Sequence, residues 1–254
     1  MTLSFYGLTK TLAGNPATRG DTMNIDNRSN TNLEENNTFI NNKTCVSGRI
    51  VNEAVFSHEV YGEGFYVFKL EVSRLSNYAD ILPIMVSERL ADIGNIRIGD
   101  NLQVFGQIRS YNNYVPSEQR NKLMLTIFAR EISDDISSLQ NPNEVFLNGY
   151  VCKPPTHRLT PFGREITDLL LAVNRSYNKS DYIPCIAWGR NSRYAGRLSV
   201  GDNIKVWGRM QSREYQKKLD DETKETRVAY EVSLSKIESC GTSPDAHSST
   251  KSQL

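Results

Sequence analysis

Gly201-Asp202-Asn203-Ile204-Lys205-Val206-Trp207-Gly208 repeats, nearly residue for residue, an earlier stretch, Gly99-Asp100-Asn101-Leu102-Gln103-Val104-Phe105-Gly106. In both, a Gly-Asp turn leads into alternating residues of a strand, with Ile204, Val206 and Met210 on one face and Lys205, Trp207 and Arg209 on the other. Further out, Asp181-Tyr182-Ile183-Pro184 answers Asp80-Ile81-Leu82-Pro83, and residues 168–175 (DLLLAVNR) answer 67–74 (VFKLEVSR). The offset is 101 to 102 residues. Solenoid units run to roughly 20–50 residues, so this period is that of a whole small domain. The chain is a tandem duplication.

The rest of the 254 residues fits two such copies and polar ends. Residues 1–43 are rich in Asn, Thr and Ser without apolar periodicity and read as disordered. Residues 44–136 form the first copy, 137–143 (SSLQNPN) a polar linker, 144–238 the second copy and 239–254 a loose tail. The first copy predicts strands over 45–52, 64–74, 80–87, 101–111 and 122–132, with a helical turn near 88–95. The second predicts strands over 144–152, 165–174, 181–188, 203–213 and 227–237, a short helix over 190–198 and a charged hairpin arm over 214–226. Gly149 predicts a bulge or bend in its strand, and Pro184 an edge or bulged position. Five strands with a short helix between the third and fourth is the order of an OB-fold. The expected fold is therefore all-β, two tandem five-stranded OB-fold barrels.

Several function classes fall away. No apolar run approaches a membrane span, and the N-terminus has neither the charge nor the apolar segment of a signal peptide. Cys45, Cys152, Cys185 and Cys240 form no CxxC pair and read as reduced thiols of a cytoplasmic protein, with Cys152 and Cys185 as small buried hydrophobes. His58, His157 and His247 are scattered, and no phosphate loop, nucleophile elbow or metal-spaced cluster occurs. The sequence therefore predicts no catalysis, no metal and no cofactor.

Charge separates the copies. Residues 46–136 carry nine Lys/Arg against twelve Asp/Glu, a balance of −3, whereas 144–218 carry thirteen against six, a balance of +7. Asp220, Asp221 and Glu222 reduce the second figure to +4 over 144–238. The second copy also interleaves aromatics with cations: Arg175 and Tyr177, Tyr182, Trp188 and Arg190, Arg193 and Arg197, then Arg209, Arg213 and Tyr215. Lys153, Arg158 and Arg164 flank its first hairpin. Single-stranded nucleic acid needs this mixture, flat rings for bases and cations for phosphates.

The runs LAVNR (171–175), DYIPCIAW (181–188) and WGRMQSREY (207–215) resemble the bacterial single-stranded DNA-binding protein family over roughly ninety residues of the second copy. The resemblance implies base stacking on four aromatic positions, which fall here on Tyr177, Tyr182, Trp188 and Tyr215. The nucleic-acid-binding set is those four with Arg175, Arg190, Arg193, Arg209, Arg213, Lys153, Arg158 and Arg164. At the paired positions the first copy has Ser76, Ile81, Ser87 and Asn113, so it is expected to be degenerate for stacking, with Tyr78, Tyr111 and Tyr114 nearby. The expected function is binding of single-stranded DNA in replication, recombination or repair, mainly through the second copy. RNA stays open as a ligand, because stacking does not read the sugar. The alternative is a primosomal or replisome accessory subunit with weak nucleic-acid binding. The family's acidic recruiting tip has no counterpart in Ser-Thr-Lys-Ser-Gln-Leu (249–254), which leaves recruitment of replication proteins without a motif. A homodimer would assemble four OB-folds, and the outward aromatics Phe105 and Trp207 offer either its adhesive surface or packing within the chain.

Overall fold

A computed structural model of the chain describes residues 41–74, 76, 78–116, 119–134, 141–218 and 224–240. The expectations for residues 1–40 and 241–254, and for the tip of the charged arm, lie outside the described residues.

Twelve strands carry the fold. The first copy contributes β1 (Asn42–Ile50), β2 (Val55–Val60), β3 (Glu63–Ser73), β4 (Ala79–Ser87), β5 (Asn101–Val115) and β6 (Arg120–Ser133). The second contributes β7 (Asn143–Val151), β8 (Thr156–Leu159), β9 (Glu165–Arg175), β10 (Lys179–Trp188), β11 (Asn203–Lys218) and β12 (Lys224–Ser239), with helix α1 (Gly189–Ala195) between β10 and β11. Alternation produces them: β9 and β10 bury Leu169, Leu171, Val173, Ile183, Cys185 and Ala187 at every second position. Burial pushes the Cys185 thiol far above its ordinary pKa, and Cys152 is raised by the same cause.

Strand pairing runs in a ring within each copy. In the first, β1 pairs with β3, β3 with β4, β4 with β6 in parallel, β6 with β5, and β5 with β1. In the second the same ring runs β7, β9, β10, β12, β11 and back to β7. The core of each ring is aliphatic, for example Phe68, Leu70, Ile84 and Ile108 in the first copy and Leu147, Leu171, Ile183 and Met210 in the second.

Differences from the sequence reading have local causes. Strand β1 begins at Asn42 and β7 at Asn143, inside the segments assigned to the disordered end and the linker. Both asparagines are buried. The Asn42 amide donates to the Ile108 carbonyl at 2.7 Å and accepts from its N–H at 2.9 Å; Asn143 makes the same two bonds with Met210. Polar residues thus start these strands because their amides stand in for missing ladder partners. Strands β2 and β8, each added to the edge of the next strand, went unread because every one of their residues is exposed and leaves no in–out alternation.

Gly149 marks a bend, since β11 pairs through it without a shift while β7 passes from β1 to β9 around it. A Cβ there would crowd the carbonyl oxygen of Ala172. Register shifts lie instead at Phe105/Gly106 and Trp207/Gly208, and at Phe56/His58 in β2. Pro184 sits one residue before the parallel ladder to β12 begins at Cys185, where its missing N–H costs nothing on that side. Pro83 holds the same place in the first copy. The short helix forms only in the second copy; the first has a three-residue 3-10 turn, Ile93–Asn95, capped by Asp92. Its Ile-Gly-Asn-Ile sequence combines β-branched residues with glycine, a poor start for a helix.

The two rings join by antiparallel pairing of β1 with β7, which makes one continuous twelve-stranded sheet. Asn42 faces Leu147, Thr44 faces Val145 and Val46 faces Asn143. Thr44 and Val145 are equivalent in the repeat, so the pairing is reciprocal about them, as in a two-fold dimer built into one chain. A second set of reciprocal contacts reinforces the joint. Fully buried Asp80 accepts from the Ser212 N–H at 2.7 Å and from Arg74 and Arg209. Fully buried Asp181 accepts from the Ser110 N–H at 2.8 Å and from Arg109 and Arg175. Each copy thus clamps a carboxylate of its own with backbone and guanidinium from the other.

Candidate nucleic-acid interface

Strand β10 carries the centre of the candidate interface. Its inward residues are Asp181, Ile183, Cys185 and Ala187, so Tyr182 and Trp188 share the outer face, about 20 Å apart at strand rise. Tyr182 is 46% and Trp188 37% exposed, which leaves ring surface for a ligand. Trp188 is fixed by a 3.1 Å hydrogen bond from its Nε1 to the Ser233 hydroxyl of β12. It lines a shallow pocket of about 590 Å³ with Arg164, Gly189 and Arg193. Tyr177 stands in the β9–β10 turn with φ 61°, almost wholly exposed. Tyr215 lies on β11 with the Arg213 guanidinium 5.8 Å from its ring centre, and it lines a different groove of about 310 Å³. The four aromatics therefore occupy separate stations along the surface and do not share one cavity.

The cations divide into paired and unpaired groups. Arg175 and Arg209 belong to the buried carboxylate clamps between copies. Burial lowers the Arg209 pKa, with Arg74 beside it acting in the same direction. Arg158 pairs with Asp168 at 2.6 Å and Arg193 with Glu165 at 2.6 Å, both near the surface. Arg213 reaches Glu231 at 3.6 Å. Lys153, Arg164 and Arg190 are exposed and make no ion pair among the described residues. Surface pairs are held by about 0–1 kcal/mol, so a phosphate can take over Arg158 or Arg193 at small cost. Arg175 and Arg209 would each leave a buried carboxylate behind.

Of the two outward aromatics, Trp207 is covered by its own copy. Its ring packs 5.2 Å from Phe146, with the Lys236 ammonium 4.5 Å from its centre. Phe105 keeps 38% of its surface exposed.

Several residues on this surface escaped the sequence reading: Phe128 and Arg130 of β6 and Arg109 of β5, which with Tyr111, already named there, line a groove of about 590 Å³ against the second copy's 175–179 turn. The available signal was the register of β6 against β12, which runs at an offset of 105 and puts Phe128 opposite the repeat position of Ser233. The shorter offset of the earlier strands hides that correspondence. Among the described residues no three His, Cys, Asp or Glu are arranged to hold a metal, and no helix is long and apolar enough to cross a membrane.

Residues 142–239 match the single-strand binding protein family. The single-stranded DNA-binding protein A of Bacillus subtilis (strain 168) is 36% identical over 81 residues, which cover 29% of this chain and 47% of that protein. The single-stranded DNA-binding protein 1 of Staphylococcus aureus (strain COL) is also 36% identical over 81 residues, 29% of this chain and 48% of that one. The chain thus spans about half the length of the curated relatives it matches. The crystal structure of the wild-type single-stranded DNA binding protein from Thermus aquaticus superposes with a TM-score of 0.62 at 19% identity, covering 81% of this chain and 95% of that one. That likeness concerns the fold, and it reaches across both copies. Through residues 142–239, the chain is similar to the single-strand binding protein family.

Proposed function

We propose that the protein binds single-stranded DNA without strong sequence preference, chiefly through its second copy. The observation that carries this is the outer face of β10, where Tyr182 and Trp188 are both exposed and the unpaired cation Arg164 lines the pocket of Trp188. Stacking a base on an aromatic is worth about 1–3 kcal/mol and every base has a face to stack, so such a surface gives affinity without readout. The relatives' names point to the same ligand. In this reading each strand ring is an OB-fold barrel, residues 44–136 and 144–238 bounding the two, and the protein acts by binding alone, without catalysis. Two chains pair to assemble four barrels, with Phe105 on the pairing surface.

Titration with oligo-dT and oligo-U at two salt concentrations tests the reading. Trp188 fluorescence should be quenched, affinity should fall as salt rises because phosphate contacts release counterions, and oligo-dT should bind at least as tightly as oligo-U. Unquenched fluorescence with no salt-dependent binding would exclude it.

A further inference from the structure

The first copy matches the stripped surface its sequence suggests at only one end. At the Trp188 position it has Ser87, but across the parallel ladder, where the second copy has Ser233, it has Phe128. The aromatic has moved one strand over. Phe128 is half-buried, its ring 5.8 Å from Phe65, and Phe65 in turn stacks on His58 at 5.0 Å with 13° between planes. The Arg130 guanidinium lies 4.9 Å from the Phe128 ring centre. Arg130 has no ion-pair partner among the described residues, and burial lowers its pKa.

The charge has moved with the ring. In the second copy, Glu231 pairs across from Gln211 and takes its amide at 2.7 Å. The first copy has Thr126 at that place, across from Arg109. Thr126 is 4% exposed, lines the groove, and its hydroxyl has no hydrogen-bond partner among the described residues. A buried polar atom left unsatisfied costs about 1–3 kcal/mol, which a ligand group or water can relieve. The groove gathers Arg109, Arg130, Arg175 and Lys179 along its wall and no carboxylate. Asp181 lies behind it, 1% exposed, already shared between Arg109 and Arg175. Arg109 and Arg130 of the first copy and Arg175 and Lys179 of the second thus make the groove basic, although the first copy as a whole is acidic.

We propose that this groove binds a nucleotide segment of single-stranded DNA, one base stacking on Phe128 and its phosphates meeting Arg130, Lys179 and the exposed edges of Arg109 and Arg175. The site is composite, since the 175–179 turn with Tyr177 comes from the second copy, and it extends the path of a strand already held on β10. It rests on the single-strand reading of that second surface.

The test uses the full chain with oligo-dT of about 8 and about 30 nucleotides, lengths within and beyond the roughly 4–16 nucleotides that one OB-fold takes. Phe128→Ala with Arg130→Ala should weaken the long oligonucleotide roughly tenfold or more and change the short one by less than about twofold. Thr126→Glu, which places the second copy's carboxylate in the groove, should weaken the long one in the same direction while keeping Phe128 in place. Ultraviolet crosslinking of wild-type protein to the long oligonucleotide should label a peptide containing Tyr111 or Phe128. Long-oligonucleotide affinity unchanged in both variants, with crosslinks confined to the second copy, would overturn the groove while leaving Tyr182 and Trp188 as the binding surface. Failure of the wild type to bind either length would overturn both readings.

Discussion

Trp188 over Ser233 in one copy, Ser87 beside Phe128 in the other: the two halves of this chain place an aromatic on opposite sides of the same parallel ladder. The same exchange recurs in charge, with Glu231 answered by Thr126 and Gln211 by Arg109. Position-by-position matching along the repeat records each change as a loss. Read across the ladder, a loss on one strand meets a gain on its neighbour. A binding face in a sheet is a property of adjacent strands, because side chains on one face of neighbouring strands stand about 5 Å apart. By contrast the clamps that hold the copies together keep their equivalent parts, Asp80 with Ser212 and Arg74 against Asp181 with Ser110 and Arg175, while the cross-copy guanidinium comes from Arg209 in one and from the non-equivalent Arg109 in the other.

The largest effect expected is on the second copy's platforms. Tyr182→Ala with Trp188→Ala should remove about 2–6 kcal/mol of binding, measured by anisotropy with a short oligo-dT. Retention of wild-type affinity would erase the distinction between the halves. Next come the clamps. Asp80→Ala and Asp181→Ala should each cost about 3 kcal/mol in urea unfolding, because each leaves guanidinium groups without their buried partner. A large cost at one and none at the other would show that the joint is not reciprocal. Gly106→Ala and Gly208→Ala should cost about 1–3 kcal/mol each, since a Cβ would run into the carbonyl oxygens of Phe128 and Ser233. Matching midpoints for both variants would sharpen the equivalence of the bulges. The smallest effect separates free from paired cations. Arg190→Ala should reduce the slope of log affinity against log salt by about one, while Arg209→Ala leaves that slope unchanged. Equal slopes for the two variants would mean that the Asp80 clamp opens when DNA binds.

Much of the fold was legible in the chain itself. The Gly-Asp-Asn turns and the alternation after them located β5 and β11 to the residue at their starts, and Leu171, Val173, Ile183 and Cys185 point inward as their spacing requires. Trp188 and Tyr182 were legible as exposed rings because a polar, cation-flanked context around large rings is a poor recipe for a core. Strands β2 and β8 were not, since uniform exposure leaves no periodic signal. Nor were the separate fates of the arginines: Arg190 and Arg209 look alike in sequence, and only the approach of the first copy's Asp80 turns one of them into a structural tie.

What the sequence determined by itself is the duplication, the all-β class and the aromatic–cation character of the second copy, because these rest on periodicity and on residue type along one strand. Tertiary structure alone decided how the copies face each other and what lines the space between them. That space brings Phe128, Arg130 and Thr126 to within one groove of Arg175 and Lys179, residues 45 to 53 positions away in the chain. Burial of Asp181 draws Arg109 and Arg175 to the same carboxylate, and that contact exists only once β1 has paired with β7 and the two rings have closed on each other.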